Sequence, residues 1–238
     1  MALSHNPLVT TTGLLLYLDA ANSRSYPGSG TAWYDLSGNG NHFTLYNGPT
    51  YSNGAITFDG VNDYAASNNN LNFTSYSSVT IEIWLKCNNT VDGMAFEHTT
   101  NWNTNAGGLG LYTNSTGGTQ YTNLLHTNHN TEIARNYLFA MGTTWNSHVN
   151  IYSIISDATG RLTYTNGSLQ SFAAISYPTT TDTSAGGSFA NAIMYLASRG
   201  GTGAFLNCSI SAFKIYAYKQ IAAEVSQNFN ALRGRFSV

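Results

Sequence analysis

Between Gly13 and Asp63, short apolar runs are broken at close intervals by Gly, Asn and Asp. The stretch contains Gly13-Leu-Leu-Leu-Tyr17-Leu-Asp19, then Trp33-Tyr-Asp35-Leu-Ser-Gly38-Asn-Gly40-Asn41, then Phe58-Asp59-Gly-Val-Asn62-Asp63-Tyr64. Runs this short cannot span a stable helix, and the turn-forming pairs recur too often for one. The pattern predicts short antiparallel strands joined by tight turns.

Composition narrows the class further. Asp, Glu, Lys and Arg make up 8% of the 238 residues, against about 25% in an average soluble domain. The polar surface must therefore come from Asn, Thr, Ser, Gly and Tyr, which suits sheets and loops rather than helices with Lys and Glu on their exposed faces. The length fits one large all-β sandwich. A net charge of −2 without a Lys or Arg cluster gives no long-range attraction for nucleic acid or an anionic membrane, and neither partner is expected. No run approaches the roughly 18 apolar residues of a membrane span, and the start Met1-Ala-Leu-Ser-His5 lacks the features of a secretory signal. The chain is therefore expected to begin at its own initiator and not to be exported by the usual route. The histidines lack paired zinc-site spacing; the closest, His126 and His129, lie in a Thr- and Asn-rich stretch and read as solvated loop residues.

Along the chain, residues 1–12 are polar and read as an N-terminal arm, and 13–238 as one domain. Leu14, Leu16 and Leu18 alternate with Leu15, Tyr17 and Asp19, as in a strand near the centre of a sandwich. Asn39-Gly40, Asn47-Gly48 and Asn53-Gly54 mark successive turns. From Val79 to Lys86 the period is strictly two: Val79, Ile81, Ile83 and Leu85 share one face, and Thr80, Glu82, Trp84 and Lys86 the other. Trp84 reads as an anchor at the edge of the core in preference to a surface aromatic. The Asn-, Thr- and Gly-rich stretch 101–130 predicts strands separated by long loops. Residues 145–167 predict a hairpin and a second tight turn, Cys208 to Tyr216 a closing strand, and Ile221 to Leu232 an amphipathic helix.

The opening run resembles the start of a laminin-G-like, concanavalin-A-like jelly roll. Three further blocks agree in order: Trp145 with His148 and the Tyr164-x-Asn166-Gly167 turn, the strand Cys208 to Tyr216, and the terminal helix. The resemblance implies an all-β jelly-roll sandwich of two antiparallel sheets with a short C-terminal helix. With Gln227-Asn-Phe-Asn-Ala-Leu232, the opening is most similar to laminin-G-like proteins of tailed bacteriophages and environmental bacteria. In sandwiches of this type the strands beside Cys87 and Cys208 can share a sheet. Both a disulfide and two buried reduced thiols then remain open, the thiols being preferred.

Four functional expectations follow. Glucanases on this fold carry two or three carboxylates at alternate positions of one strand. Here no Glu has an acidic residue two, three or four positions away, no Gly-x-Ser-x-Gly elbow occurs, and the chain is expected not to be an enzyme. Similar sandwiches often hold Ca²⁺ through oxygen ligands; Asp19, Asp35, Asn39, Asn41, Asp59, Asn62 and Asp63 are the candidate ligands, against their alternative role as turn formers. Glycan binding is expected from Trp102, Tyr112, Tyr121 and His126, which fall in the loop-rich middle where the resemblance places recognition. The phage resemblance, the uncharged surface and the polar arm imply a virion surface protein, either capsid decoration or a tail or fibre knob. Its partners would be other virion proteins and glycans; the oligomeric state stays open, a homotrimer being what phage fibres and knobs often form. The alternative is a bacterial carbohydrate-binding module.

Overall fold

The computed structural model describes residues 8–87, 92–99, 107–116, 119–126, 135–142, 149–156, 160–170 and 189–238. Among these, two eight-stranded antiparallel sheets stack into a sandwich, with one helix at the C-terminus. The first sheet runs β15 (Ser168–Leu169), β14 (Gly160–Thr165), β13 (Val149–Ser156), β8 (Ser78–Cys87), β18 (Asn207–Tyr216), β5 (Ala55–Asp59) and β4 (Thr50–Ser52), with β1 (Leu14–Asp19) also on β18. The second runs β12 (Arg135–Gly142), β11 (Thr119–His126), β10 (Leu109–Thr116), β9 (Gly93–His98), β17 (Met194–Leu196), β6 (Tyr64–Ser67), β3 (Phe43–Tyr46) and β2 (Ala32–Trp33). A small ribbon pairs β7 (Leu71–Asn72) with β16 (Asn191–Ala192). This is the jelly-roll sandwich anticipated from the sequence.

One core lies between the sheets. Leu16, Leu18, Val79, Ile81, Ile83, Leu85, Phe213 and Ile215 of the first sheet meet Phe43, Leu45, Ala65, Phe96, Leu111, Met194 and Leu196 of the second. The Phe96 and Phe213 rings make contact across the gap at 5.8 Å between centroids. In β8 the core residues Val79, Ile81, Ile83 and Leu85 alternate along the strand, as the pleat demands, while register shifts in β9 and β18 break the alternation there.

The opposite face of the first sheet is also covered, by the helix α1 (Ala222–Leu232) and the 3-10 turn Arg233–Arg235. Val225, Asn228, Phe229 and Leu232 form its buried stripe, at helical spacing. Glu224 starts the helix by accepting the Ile221 N–H at 2.9 Å, the reciprocal half of a capping box. Trp84 stacks on Phe229 and Phe236, with centroids 5.8 and 4.6 Å away. Trp84 is thus an anchor, as expected, but of a second core rather than of the edge of the first.

The chain before β1 runs along this helix: the Thr10 N–H and hydroxyl both donate to Asn228 Oδ1, and Gln227 Nε2 donates to the Leu8 carbonyl. Residues 1–7 of the expected arm lie outside the described residues. Cys87 and Cys208 are buried, directly opposed in register, and free. Burial raises the pKa of both thiols, which keeps them protonated and unreactive.

Within the stretch 101–130, the described residues form the strands expected there, β10 and β11, paired along eight residues each in an antiparallel meander with β9 and β12. Thr, Tyr and Asn alternate there with few aliphatics, so the period-two signal is carried by polar β-formers that a search for apolar alternation overlooks.

Candidate functional site

On the outer face of the second sheet, several of the residues that alternate with the core are aromatic. Phe43 and Leu45 point into the sandwich, so Thr44 and Tyr46 point away from it; likewise Tyr64 and Tyr195 flank the inward Ala65, Met194 and Leu196. Tyr46 and Tyr64 are directly opposed in register. Their rings stack with centroids 4.6 Å apart and planes 8° apart. Tyr195 and Phe205 extend the group, at 6.2 and 6.5 Å from the Tyr64 ring. Tyr46 is 41% exposed, and the other three are half-buried.

The turn after β17 borders this cluster and fixes it. Arg199 and Gly203 close the turn through an isolated bridge. At Gly201 the backbone has φ 69°, and an added Cβ would lie 2.9 Å from the Tyr64 ring; only glycine satisfies both the left-handed backbone and the close approach. Tyr64 is thereby wedged between Tyr46 and the turn. A ring held in this way gives up little conformational freedom on binding.

Of the four glycan-contact candidates, Tyr112 reaches the same face. It follows Leu111, which points into the core, and is half-buried at the paired edges of β9 and β10. Burial raises its phenol pKa, the nearby Asp92 adds to that, and Arg199 opposes it. Tyr112 therefore lies within electrostatic reach of the turn that borders Tyr64. Tyr121 and His126 occupy register positions opposite Asn114 and Leu109 on β11, in a strand and not in the loop anticipated; their side chains lie outside the described residues. Trp102 lies outside the described residues altogether. The sequence reading passed over Tyr46, Tyr64, Tyr195 and Phe205. A signal existed for Tyr46, since Phe43-Thr-Leu-Tyr46 alternates strictly and places a tyrosine on the outward beat.

The candidate calcium ligands are spread over three turns and are largely committed to the chain itself. Asp35 Oδ1 accepts the N–H groups of Tyr17 and Ser37, while its Oδ2 accepts the Ser37 hydroxyl and the Asn41 N–H. Asn39 and Asn41 donate to the carbonyls of Leu14 and Leu15. Asp59 Oδ1 accepts from Val61, Asn62 and Asp63, and these backbone bonds hold its pKa down. Burial raises the pKa of Asp63, whose Oδ2 accepts the Asp59 N–H. Asn62 contributes its carbonyl to Asn47 Nδ2. Asp19 is gripped by both Arg235 terminal nitrogens at 2.7 and 2.8 Å. No group of three or more His, Cys, Asp or Glu among the described residues is placed to hold a metal ion. The oxygens of Asp19 and Asp35 are thus taken by N–H and O–H donors, whereas a calcium ion requires six to eight oxygen ligands.

Glu82, on the second face of β8, is fully buried. It accepts from Lys214 Nζ at 2.8 Å, Trp84 Nε1 at 2.7 Å and Asn150 Nδ2 at 3.1 Å. Burial lowers the Lys214 pKa, and Glu82 opposes that shift. Walled off by α1, this carboxylate meets no substrate; it neutralises a charge inside the second core.

The chain matches no family model and no curated protein sequence. Solved structures do share its fold. The binding domain of botulinum neurotoxin DC in complex with SialylT is 14% identical, with a TM-score of 0.69 over 93% of this chain and 52% of that one. The same domain in complex with rat synaptotagmin II gives 12% identity and a TM-score of 0.67, over 92% and 52%. Botulinum neurotoxin type C, whose cell entry depends upon interaction with two ganglioside molecules, gives 14% and 0.68, over 92% and 51%. At such identities the likeness establishes the β-sandwich. The chain spans about half the length of each of these solved chains.

Proposed function

We propose that this is a non-catalytic glycan-binding domain whose contact surface is the outer face of the second sheet, centred on Tyr46 and Tyr64. The stacked, partly exposed tyrosine pair carries the proposal. Sugars present apolar C–H faces that lie on aromatic rings and hydroxyls that take hydrogen bonds, and phenols offer both. A sheet face lined by Tyr46, Tyr64, Tyr195 and Tyr112, with the buried Glu97 opposite Tyr195 and Arg199 in the bordering turn, suits a saccharide that stacks on the rings and bonds to the polar groups beside them. Support of a weaker kind comes from the structural neighbours, which include a domain bound to SialylT and a toxin that depends on gangliosides.

Display on the surface of a tailed-phage virion, attached to other virion proteins and assembled as a homotrimer, extends the proposal. It is supported by the resemblance of the opening run and the terminal helix to phage-associated proteins. Labelling purified particles with a specific antibody tests this extension separately from the glycan question.

A glycan array probed with the wild type and with Tyr46→Ala and Tyr195→Ala tests the core of the proposal. Binding to a defined set of glycans is expected, weakened about tenfold by either substitution. Wild-type binding that survives both substitutions unchanged would move the site elsewhere, and no binding at all would remove the function.

A further inference from the structure

A pocket of about 380 Å³ opens on the other side of the molecule, lined by Ala21, Tyr51, Asn53, Gly54, Arg235 and Phe236. We propose that it is a second binding site, separate from the second-sheet face, that takes a single neutral sugar ring.

Three features point to that class of ligand. The first is size: ligand pockets span about 300–1,000 Å³, and this one lies near the small end, enough to seat one sugar ring. The second is its walls. Tyr51 is 37% exposed and its ring is backed by Tyr26, at 5.2 Å between centroids, so an aromatic plate stands ready on the pocket side. The floor is formed where Gly54 meets Ala21, an added Cβ at Gly54 coming within 2.8 Å of the alanine methyl. Asn53 and Gly54 both have positive φ, 52° and 76°, in the tight turn joining β4 and β5. That geometry is typical of an Asn-Gly hairpin, so the pocket rim is rigid.

The third feature is its charge. A guanidinium carries five N–H donors; Arg235 spends one from each terminal nitrogen on Asp19, and its side chain remains 31% exposed. Asp19 also accepts the Tyr17 hydroxyl and the Ala21 N–H, so the carboxylate is fully engaged. The pair presents N–H donors with its charge already balanced. An anion would have to compete with Asp19 for the guanidinium, whereas a hydroxyl or ring oxygen need only accept from the donors left over. A sugar lying on Tyr51 with its oxygens toward Arg235 and Asn53 satisfies the whole lining.

The test is a titration followed by ¹H–¹⁵N NMR of the full chain, with the methyl glycosides of glucose, galactose, mannose and N-acetylglucosamine, and with sulfate. At least one glycoside is expected to shift the Asn53 and Gly54 amides and the Arg235 Nε–H saturably. Tyr51→Ala should weaken that binding about tenfold, while Tyr51→Phe keeps it. Tyr46→Ala, on the other face, should leave these shifts unchanged, so that failure of one site is distinguishable from failure of the other. No shift of these groups with any glycoside, equal shifts in Tyr51→Ala, or shifts with sulfate alone would each overturn the proposal.

Discussion

At the scale of single residues, the most consequential contact joins positions far apart in the chain. Glu82 is isolated from other carboxylates in the sequence, and its partner Lys214 lies 132 residues away. Nothing local marks the pair; only the register of β8 against β18 brings them together. Removing one partner strands the other charge in a dry core, so Lys214→Met is expected to cost about 3–5 kcal/mol, and adding Glu82→Gln, which removes the charge but keeps an acceptor for Trp84 and Asn150, to restore much of the loss. Urea unfolding of the single and double variants measures both. His98 gives a second residue-scale prediction. Its ring is buried, Nε2 contacts the Leu71 carbonyl at 2.8 Å, and burial lowers its pKa to about 4. The unfolded chain, with a histidine pKa near 6.5, takes up the proton first as pH falls. Stability from this group is therefore complete above about pH 6.5, declines between there and about 4, and changes no further below; the full loss is about 3 kcal/mol. His98→Leu should flatten this part of the stability profile.

At the scale of elements, turns and strands were more legible than what covers them. The Asn-Gly turns and the period-two run of β8 stand plainly in the sequence, because turn geometry and pleat act over a few residues. That both faces of β8 are buried does not, since the second cover arrives from α1 more than a hundred residues later. Trp84→Ala should empty the space between Phe229 and Phe236 and cost about 3–5 kcal/mol, read as a fall in the urea midpoint. The acidic turns were visible as motifs, while their chemistry depends on which donors the fold supplies. Asp35 organises its turn by taking four hydrogen bonds. Asp35→Ala is expected to destabilise by about 1–3 kcal/mol, and by the same amount in calcium and in chelator; a loss confined to the calcium buffer would assign the residue to a metal.

At the scale of the whole molecule, the short antiparallel strands followed from spacing and composition, and the two-sheet jelly roll from the resemblance of four blocks to laminin-G-like domains. The candidate binding face did not. Trp102, Tyr112, Tyr121 and His126 stand in a loop-rich stretch of the sequence; Tyr112 reaches the face, whose exposed aromatic cluster is otherwise assembled from β3, β6, β17 and the residue Phe205. Their separation in sequence hides a surface that exists only once the second sheet is ordered. The low charge of the chain bears on the proposed function: with few ions at its surface, binding there would fall to hydroxyl and amide groups beside tyrosine rings. The most direct measurement is a crystal structure of the protein soaked in mixed neutral oligosaccharides. Saccharide density lying across Tyr46, Tyr64 and Tyr195 is the predicted result. A fully occupied soak with saccharide bound elsewhere and that face bare would contradict the account.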